Sequence, residues 1–212
     1  MSSRFLWGVL VALALLGGIG LSLLIAPPKT PQHAQLYPQA RDIPPFELVD
    51  QHGKAVTLEA LKGHWTLAFT GYTYCPDICP TTLAELKRVY PELKALPTDS
   101  PLQILFLSVD PNRDTPARLN EYVQFFNPDF IAATGEHVQL FPFVRSLGMM
   151  YAIAGSTETP DYLVDHSSSV VIIDPEARVL GRFKPELIPG QMAIVDADHI
   201  LADMPIVMRM AD

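Results

Sequence analysis

The sequence predicts an α/β domain, a mixed β-sheet flanked by helices, behind an N-terminal transmembrane helix. Three observations carry this reading. Short apolar runs bounded by glycine alternate with stretches of helical periodicity, the mark of strands and covering helices in one layered domain. The chain then closes on a strand pair and one more amphipathic stretch. Phe5 to Ile25, 21 residues, carry no charged side chain; spanning a bilayer as a helix takes about 20.

Arg4 and the free amine precede that run, and Pro27-Pro28-Lys29 follow it. A cleaved signal peptide begins in the same way, but its apolar core is roughly 7–15 residues and ends at a small-residue cleavage site. Here the run is longer, no A-x-A site follows, and no cysteine stands where a lipoprotein would need one. Residues 1–26 are therefore expected to stay as a single-pass anchor, with the membrane engaged through 5–25. The start lacks the Arg- and Ser-rich character of an organelle transit peptide. A bacterial inner-membrane protein with its soluble domain in the periplasm is expected. Residues 27–45, rich in proline and without apolar periodicity, read as an extended tether. The domain proper is expected over 46–212.

Of the 212 residues, 49% are hydrophobic and 18% charged, which suits a packed core and not disorder. Arg4 is the anchor's one charged side chain, so the net charge of −8 becomes −9 for the remainder. An acidic domain without a basic run repels phosphate backbones, and nucleic acid is not an expected partner.

From Phe46 the elements follow in order. FELVD and AVTL flank Gln51-His52-Gly53-Lys54 as a hairpin, with Gly53 at the turn. Trp65 to Thr70 and Leu102 to Val109 are continuous apolar runs, the pattern of strands buried on both faces. Between them, Leu83, Leu86, Val89, Tyr90 and Leu93 set a helix from about Cys79 to Lys94. Thr115 caps a helix whose first residue is Pro116 and which runs through Phe126. Glu136 to Leu147 is another helix. Val170–Ile173 and Arg178–Phe183 pair across the turn 174–177, and Gln191 to about Ala202 is the last helix. A cysteine pair just after the first central strand makes this order compatible with a thioredoxin-like fold.

The cysteines, Cys75 and Cys79, lie in Tyr74-Cys75-Pro76-Asp77-Ile78-Cys79-Pro80, where strand hands over to helix. Residues four apart share a helical face, and a helix start favours thiolate, the form that attacks disulfides and binds metal. The pair can close a disulfide or hold one soft metal ion. A purely structural disulfide is the plainest reading in an exported domain, but so short a loop restrains the unfolded chain little. Two thiolates need a third donor. Of six histidines, His33 lies in the tether, His52 in a turn, His64 before a strand, and His137 and His199 on helices. His166 stands immediately before the buried run Val170–Ile173, where a thioredoxin-like sheet brings the chain beside the cysteines. Asp165 or a serine can orient its ring. Two sulfurs and an imidazole suit copper, Cu(I) or Cu(II), better than magnesium, calcium or manganese; zinc usually takes four protein ligands.

TGYTYCPDICP (Thr70–Pro80), SVDPNRDTPARLNEY (Ser108–Tyr122) and DYLVDHSSSVVIIDP (Asp161–Pro175) resemble the signature segments of the Sco/SenC family. The likeness spans nearly everything from Phe46 to the last helix, with the anchor and tether. It implies a thioredoxin-like copper protein with ligands at Cys75, Cys79 and His166. It also implies delivery to the CuA site of cytochrome c oxidase subunit II; a copper donor is expected as well, and a thiol reductant, since the pair can rest as a disulfide in the oxidising periplasm. Tyr74 stands where many relatives have histidine, and Thr70 where phenylalanine is common. The charges of Asp110 to Thr115 read as helix capping and a local ion pair, and Met204, Met208 and Met210 as packing and tail.

Two functions compete. A metallochaperone passes copper by ligand exchange and turns over no substrate, so an enzyme is not expected. A thiol–disulfide oxidoreductase would use Cys75 to attack the oxidase's copper-site disulfide and Cys79 to resolve it. The proline that thioredoxins place before the strand facing the cysteines is absent between Asp161 and Val170, which a ligand at His166 explains. A peroxidase of the peroxiredoxin type wants threonine or serine three residues before its cysteine, where Tyr72 stands instead.

Overall fold

Continuous apolar runs become the buried centre of an eight-stranded sheet in the computed structural model, which describes residues 7–8, 11–18, 30–155, 157, 161–190 and 192–211. Residues 1–30 and Pro31–Asp212 are separate compact units. In the first, residues 7–8 and 11–18 are helical; the rest of the expected span 5–25 lies outside the described residues. Among the described residues no helix is long and apolar enough to cross a membrane.

The second unit holds β1 (Gln35–Asp42), β2 (Leu48–Asp50), β3 (Ala55–Val56), β4 (Trp65–Gly71), α1 (Ile78–Lys94), β5 (Leu102–Ser108) and α2 (Pro116–Phe126). Then come β6 (Ile131–Thr134), α3 (His137–Ser146), β7 (Tyr151–Ala154), β8 (Leu163–His166), β9 (Val170–Ile173), β10 (Arg178–Phe183) and α4 (Ala197–Ala211). The sheet order is β1-β10-β9-β4-β5-β6-β2-β3, with β7 and β8 a separate antiparallel pair. β4, β5 and β6 run parallel, and β9 returns antiparallel on the other side of β4. The elements expected as a hairpin, two buried strands, a capped helix and a closing strand pair are all present. Thr115 accepts a hydrogen bond from the Arg118 amide as N-cap, and Pro116 opens α2.

Both faces of β4 are buried, which is why its sequence shows no alternation. Trp65, Leu67 and Phe69 pack with α1, α2 and α4 through Leu83, Leu86, Leu119, Val123, Ile200 and Met204. Ala68 and its neighbours Leu105 and Leu107 face α3, against Leu140, Phe143 and Val144.

Two expectations are corrected. Within the expected tether 27–45, Gln35–Asp42 form β1 and pair with β10, and Ile43 is buried, as is Phe46 just beyond. Buried Asp203 on α4 accepts the backbone N–H groups of Gln32, His33 and Ala34 at 3.1, 2.6 and 2.8 Å. Pro38 is accommodated because β1 is an edge strand, with its register shifted between Leu36 and Arg41. The last helix spans Ala197–Ala211, six residues later in starting than expected and longer, because Met204, Val207 and Met208 extend its buried face. The β7–β8 hairpin and β6 were not legible in the sequence.

Candidate metal centre

The site forms at the C-terminal end of β4, where the parallel strands open. Cys75 follows in the connecting loop, its N–H donating to the Tyr72 carbonyl at 3.2 Å. Cys79 sits in the first turn of α1, fully buried, and its N–H donates to Cys75 Sγ at 3.5 Å. The close packing needs Gly71: a Cβ there would lie 2.7 Å from both Cys79 Sγ and Phe106 Cε2.

His166 arrives from the far side, as the last residue of β8. Its ring stands edge-on to Phe69 and Tyr72, at 6.2 and 5.9 Å between centroids. Nε2 lies 3.3 Å from Cys79 Sγ, and Nδ1 lies 3.1 Å from the Ser167 carbonyl. The donor atoms of Cys75, Cys79 and His166 all fall within 4.8 Å of one another. Cys75 and His166 line a cleft of about 220 Å³ with Tyr72, Ile78 and Val164, and Cys79 lies buried behind them. Three larger clefts, of about 310, 310 and 350 Å³, are lined by neither the cysteines nor His166.

The two sulfurs differ. The hydrogen bond from the Cys79 thiol, with help from backbone N–H groups, outweighs burial and lowers Cys75 to about 4. Burial pushes the Cys79 thiol far up, and the neighbouring Cys75 sulfur adds to the rise. Cys75 is therefore the thiolate, half-buried and reachable, while Cys79 is the buried proton donor.

Asp165, expected to orient the ring, is exposed at the cleft rim; the contact to Nδ1 is made by the Ser167 carbonyl. The other histidines lie apart from the cluster. His33 stacks on His199 at 3.5 Å, and His137 Nδ1 meets the Tyr151 hydroxyl at 2.8 Å. Met204 and Met208 are buried and Met210 is exposed.

The sequence reading missed the work of Asp110 to Asp114. The expected cap and ion pair are there, with Arg113 Nε donating to Asp110 at 2.5 Å. Buried Asp114 also accepts from Thr73 N–H at 2.9 Å, Thr73 Oγ1 at 2.7 Å and Ser108 Oγ at 2.6 Å. It clamps the loop two residues before Cys75. Asp110 accepts from the Tyr162 hydroxyl, just before β8, and Arg113 lies over the rings of Tyr162, Tyr72 and Tyr74. One segment thus ties the cysteine loop to the strand carrying His166. Two acids around one arginine, directly after a buried strand, were the available signal.

Two thiol sulfurs and one imidazole, open to a cleft, suit a soft cation in a three-donor site.

Comparison with known proteins agrees with this chemistry. The SCO1/SenC family profile matches residues 34–199, reaching back into β1. An SCO2-like protein of Rickettsia conorii is 33% identical over 191 residues, 87% of this chain and 92% of that protein. The fold matches copper-bound ScoI of Arabidopsis thaliana, with TM-score 0.66, 32% identity and coverage of 79% of this chain and 98% of that one. Copper-bound ScoI of Bradyrhizobium japonicum matches with TM-score 0.61 and 34% identity over 77% and 97%.

Proposed function

The chain belongs to the SCO1/SenC family, and on that premise we propose that it is a membrane-anchored copper carrier. Cys75, Cys79 and His166 hold one copper ion and release it to the CuA site of cytochrome c oxidase subunit II during oxidase assembly. The observation that carries this is the convergence of the three donor atoms within 4.8 Å, in a fold shared with copper-bound relatives. The donor set fits the cargo: soft sulfurs prefer Cu(I), and a cluster of three donors among the described residues is one short of the usual structural zinc site.

The residues divide the work. Cys75, reachable and already thiolate, is the donor an incoming acceptor thiolate displaces first. Cys79 gives up its thiol proton on loading and anchors the ion from the buried side. His166, held through Nδ1, offers Nε2. Transfer then proceeds by stepwise ligand exchange, and no substrate is turned over. The copper donor and the thiol reductant remain partners of the reading. Residues 5–25 hold the domain at the periplasmic face of the inner membrane.

A second reading draws on the asymmetry of the sulfurs. Cys75 thiolate attacks an oxidase disulfide and forms a mixed disulfide; Cys79 resolves it, leaving the partner's two thiols reduced and this chain's pair oxidised.

The test is copper stoichiometry on the reduced full chain and its His166→Ala variant. One copper per wild-type chain, lost or much weakened in the variant, is expected. A wild-type chain that retains no copper would move the function to thiol–disulfide exchange.

A further inference from the structure

We propose that Thr70 is a positioning residue for this centre, its hydroxyl fixing the Ser167 carbonyl that in turn sets which nitrogen His166 presents. The inference rests on the reading of His166 as a ligand.

Thr70 is fully buried near the end of β4. Pairing of β4 with β9 ends at Phe69 with Val170, so the next segment on that side is the turn after His166. The Thr70 hydroxyl links that turn to the sheet, donating to the Ser167 carbonyl at 2.8 Å, with Met149 Sδ at 3.7 Å beside it. From the opposite side Ser167 is held by Met150. Ser167 N–H donates to the Met150 carbonyl at 3.0 Å, and Ser167 Oγ accepts from Met150 N–H at 3.0 Å.

The Ser167 carbonyl so placed also faces His166 Nδ1 at 3.1 Å. A carbonyl only accepts, so Nδ1 carries the hydrogen and Nε2 keeps its lone pair, 3.3 Å from Cys79 Sγ. The tautomer that can coordinate is thus set one peptide away, by a backbone group whose place depends on Thr70. A phenylalanine here could not donate this bond, so the device belongs to chains with a hydroxyl at this position.

The experiment compares wild type, Thr70→Val and Thr70→Ser in the reduced full chain. The His166 tautomer is read in the metal-free protein from long-range ¹H–¹⁵N spectra, and copper(I) affinity from competition with a chromophoric chelator. Wild type and Thr70→Ser are expected to hold the Nδ1–H form. Thr70→Val, which keeps the shape and drops the hydroxyl, is expected to show both tautomers and to bind copper roughly fivefold more weakly, the value of about one buried hydrogen bond. A Thr70→Val chain that keeps the Nδ1–H tautomer would overturn the proposal, as would loss of it in Thr70→Ser. Tautomer loss in Thr70→Val with no copper bound by any of the chains would support the positioning role and sink the metal reading alone.

Discussion

Replacing Asp114 with alanine removes the clamp that holds the cysteine loop, and its cost can be worked from three contacts. The buried carboxylate accepts from Thr73 N–H, Thr73 Oγ1 and Ser108 Oγ at 2.9, 2.7 and 2.6 Å. Each hydroxyl can turn to another acceptor, so its loss is about 1 kcal/mol. The Thr73 amide cannot turn, and an orphaned buried donor costs about 2 kcal/mol. The sum, about 4 kcal/mol, corresponds to a fall of about 12 °C in Tm for a domain of this size. Asp114→Asn keeps an oxygen for the Thr73 amide and turns its NH₂ toward Thr73 Oγ1, which already accepts from Arg118 Nε at 3.1 Å. It should cost about 1–2 kcal/mol. Urea unfolding of the three chains reads these values, and copper competition at a temperature where all are folded reads the site. Affinity should fall with loosening of the loop, more in the alanine chain than in the asparagine chain. An unchanged urea midpoint for Asp114→Ala would refute the energetic argument; lowered stability with wild-type affinity would refute the clamp. The pH dependence adds a sign. Burial outweighs the hydrogen bonds and raises the Asp114 carboxyl from 3.8. Protonation adds stability beyond those hydrogen bonds, full below pH 3.8 and lost as pH rises through the folded value. The margin of wild type over Asp114→Asn should narrow over that rise, and a widening margin would contradict the assignment.

Gly71→Ala forces a methyl group against Cys79 Sγ and Phe106, so copper affinity should drop at least tenfold; a wild-type affinity would show that the buried sulfur can move freely. Alkylation of Cys75 should proceed at a nearly constant rate from pH 8 to 6, because its thiol is lowered to about 4. In Cys79→Ala, which removes the first cause of that lowering, the rate should fall about tenfold per unit over the same range; a similar fall in wild type would refute the thiolate assignment. Burial alone would raise Asp203, but the amides of Ala34, Gln32 and His33 outweigh it and lower the group below 3.8. Asp203→Asn should therefore cost about 2 kcal/mol at pH 7 and loosen hydrogen exchange at residues 32–34. That difference is present above pH 3.8 and vanishes as pH falls through the folded value; a difference that persisted in acid would argue against the carboxylate as the holder of β1.

The elements readable from sequence were those whose cause is local. Trp65–Thr70 and Leu102–Val109 are apolar throughout because both faces of each strand are covered, and Thr115-Pro116 starts a helix through its own side chain and ring. The cysteine pair, four residues apart at a strand–helix junction, announced its chemistry for the same reason. Where the cause was distant, the sequence misled or said nothing. Six prolines around residues 27–45 correctly signalled extended chain, but extended chain becomes tether or edge strand only according to whether a partner exists. That partner is β10, 136–147 residues away, with Asp203, 169–171 away. YAIA and LVDH are too short and too mixed to declare a hairpin, yet that hairpin delivers His166. Asp165 or a serine was expected beside the imidazole; the fold turns a serine's backbone carbonyl, that of Ser167, to Nδ1. The sequence alone determined the candidate donor set and the strand–helix junction that carries its cysteines. Only the tertiary structure decided how those donors meet, because the hydrogen bond Thr70 donates and those Asp110 and Asp114 accept join segments that no local pattern couples.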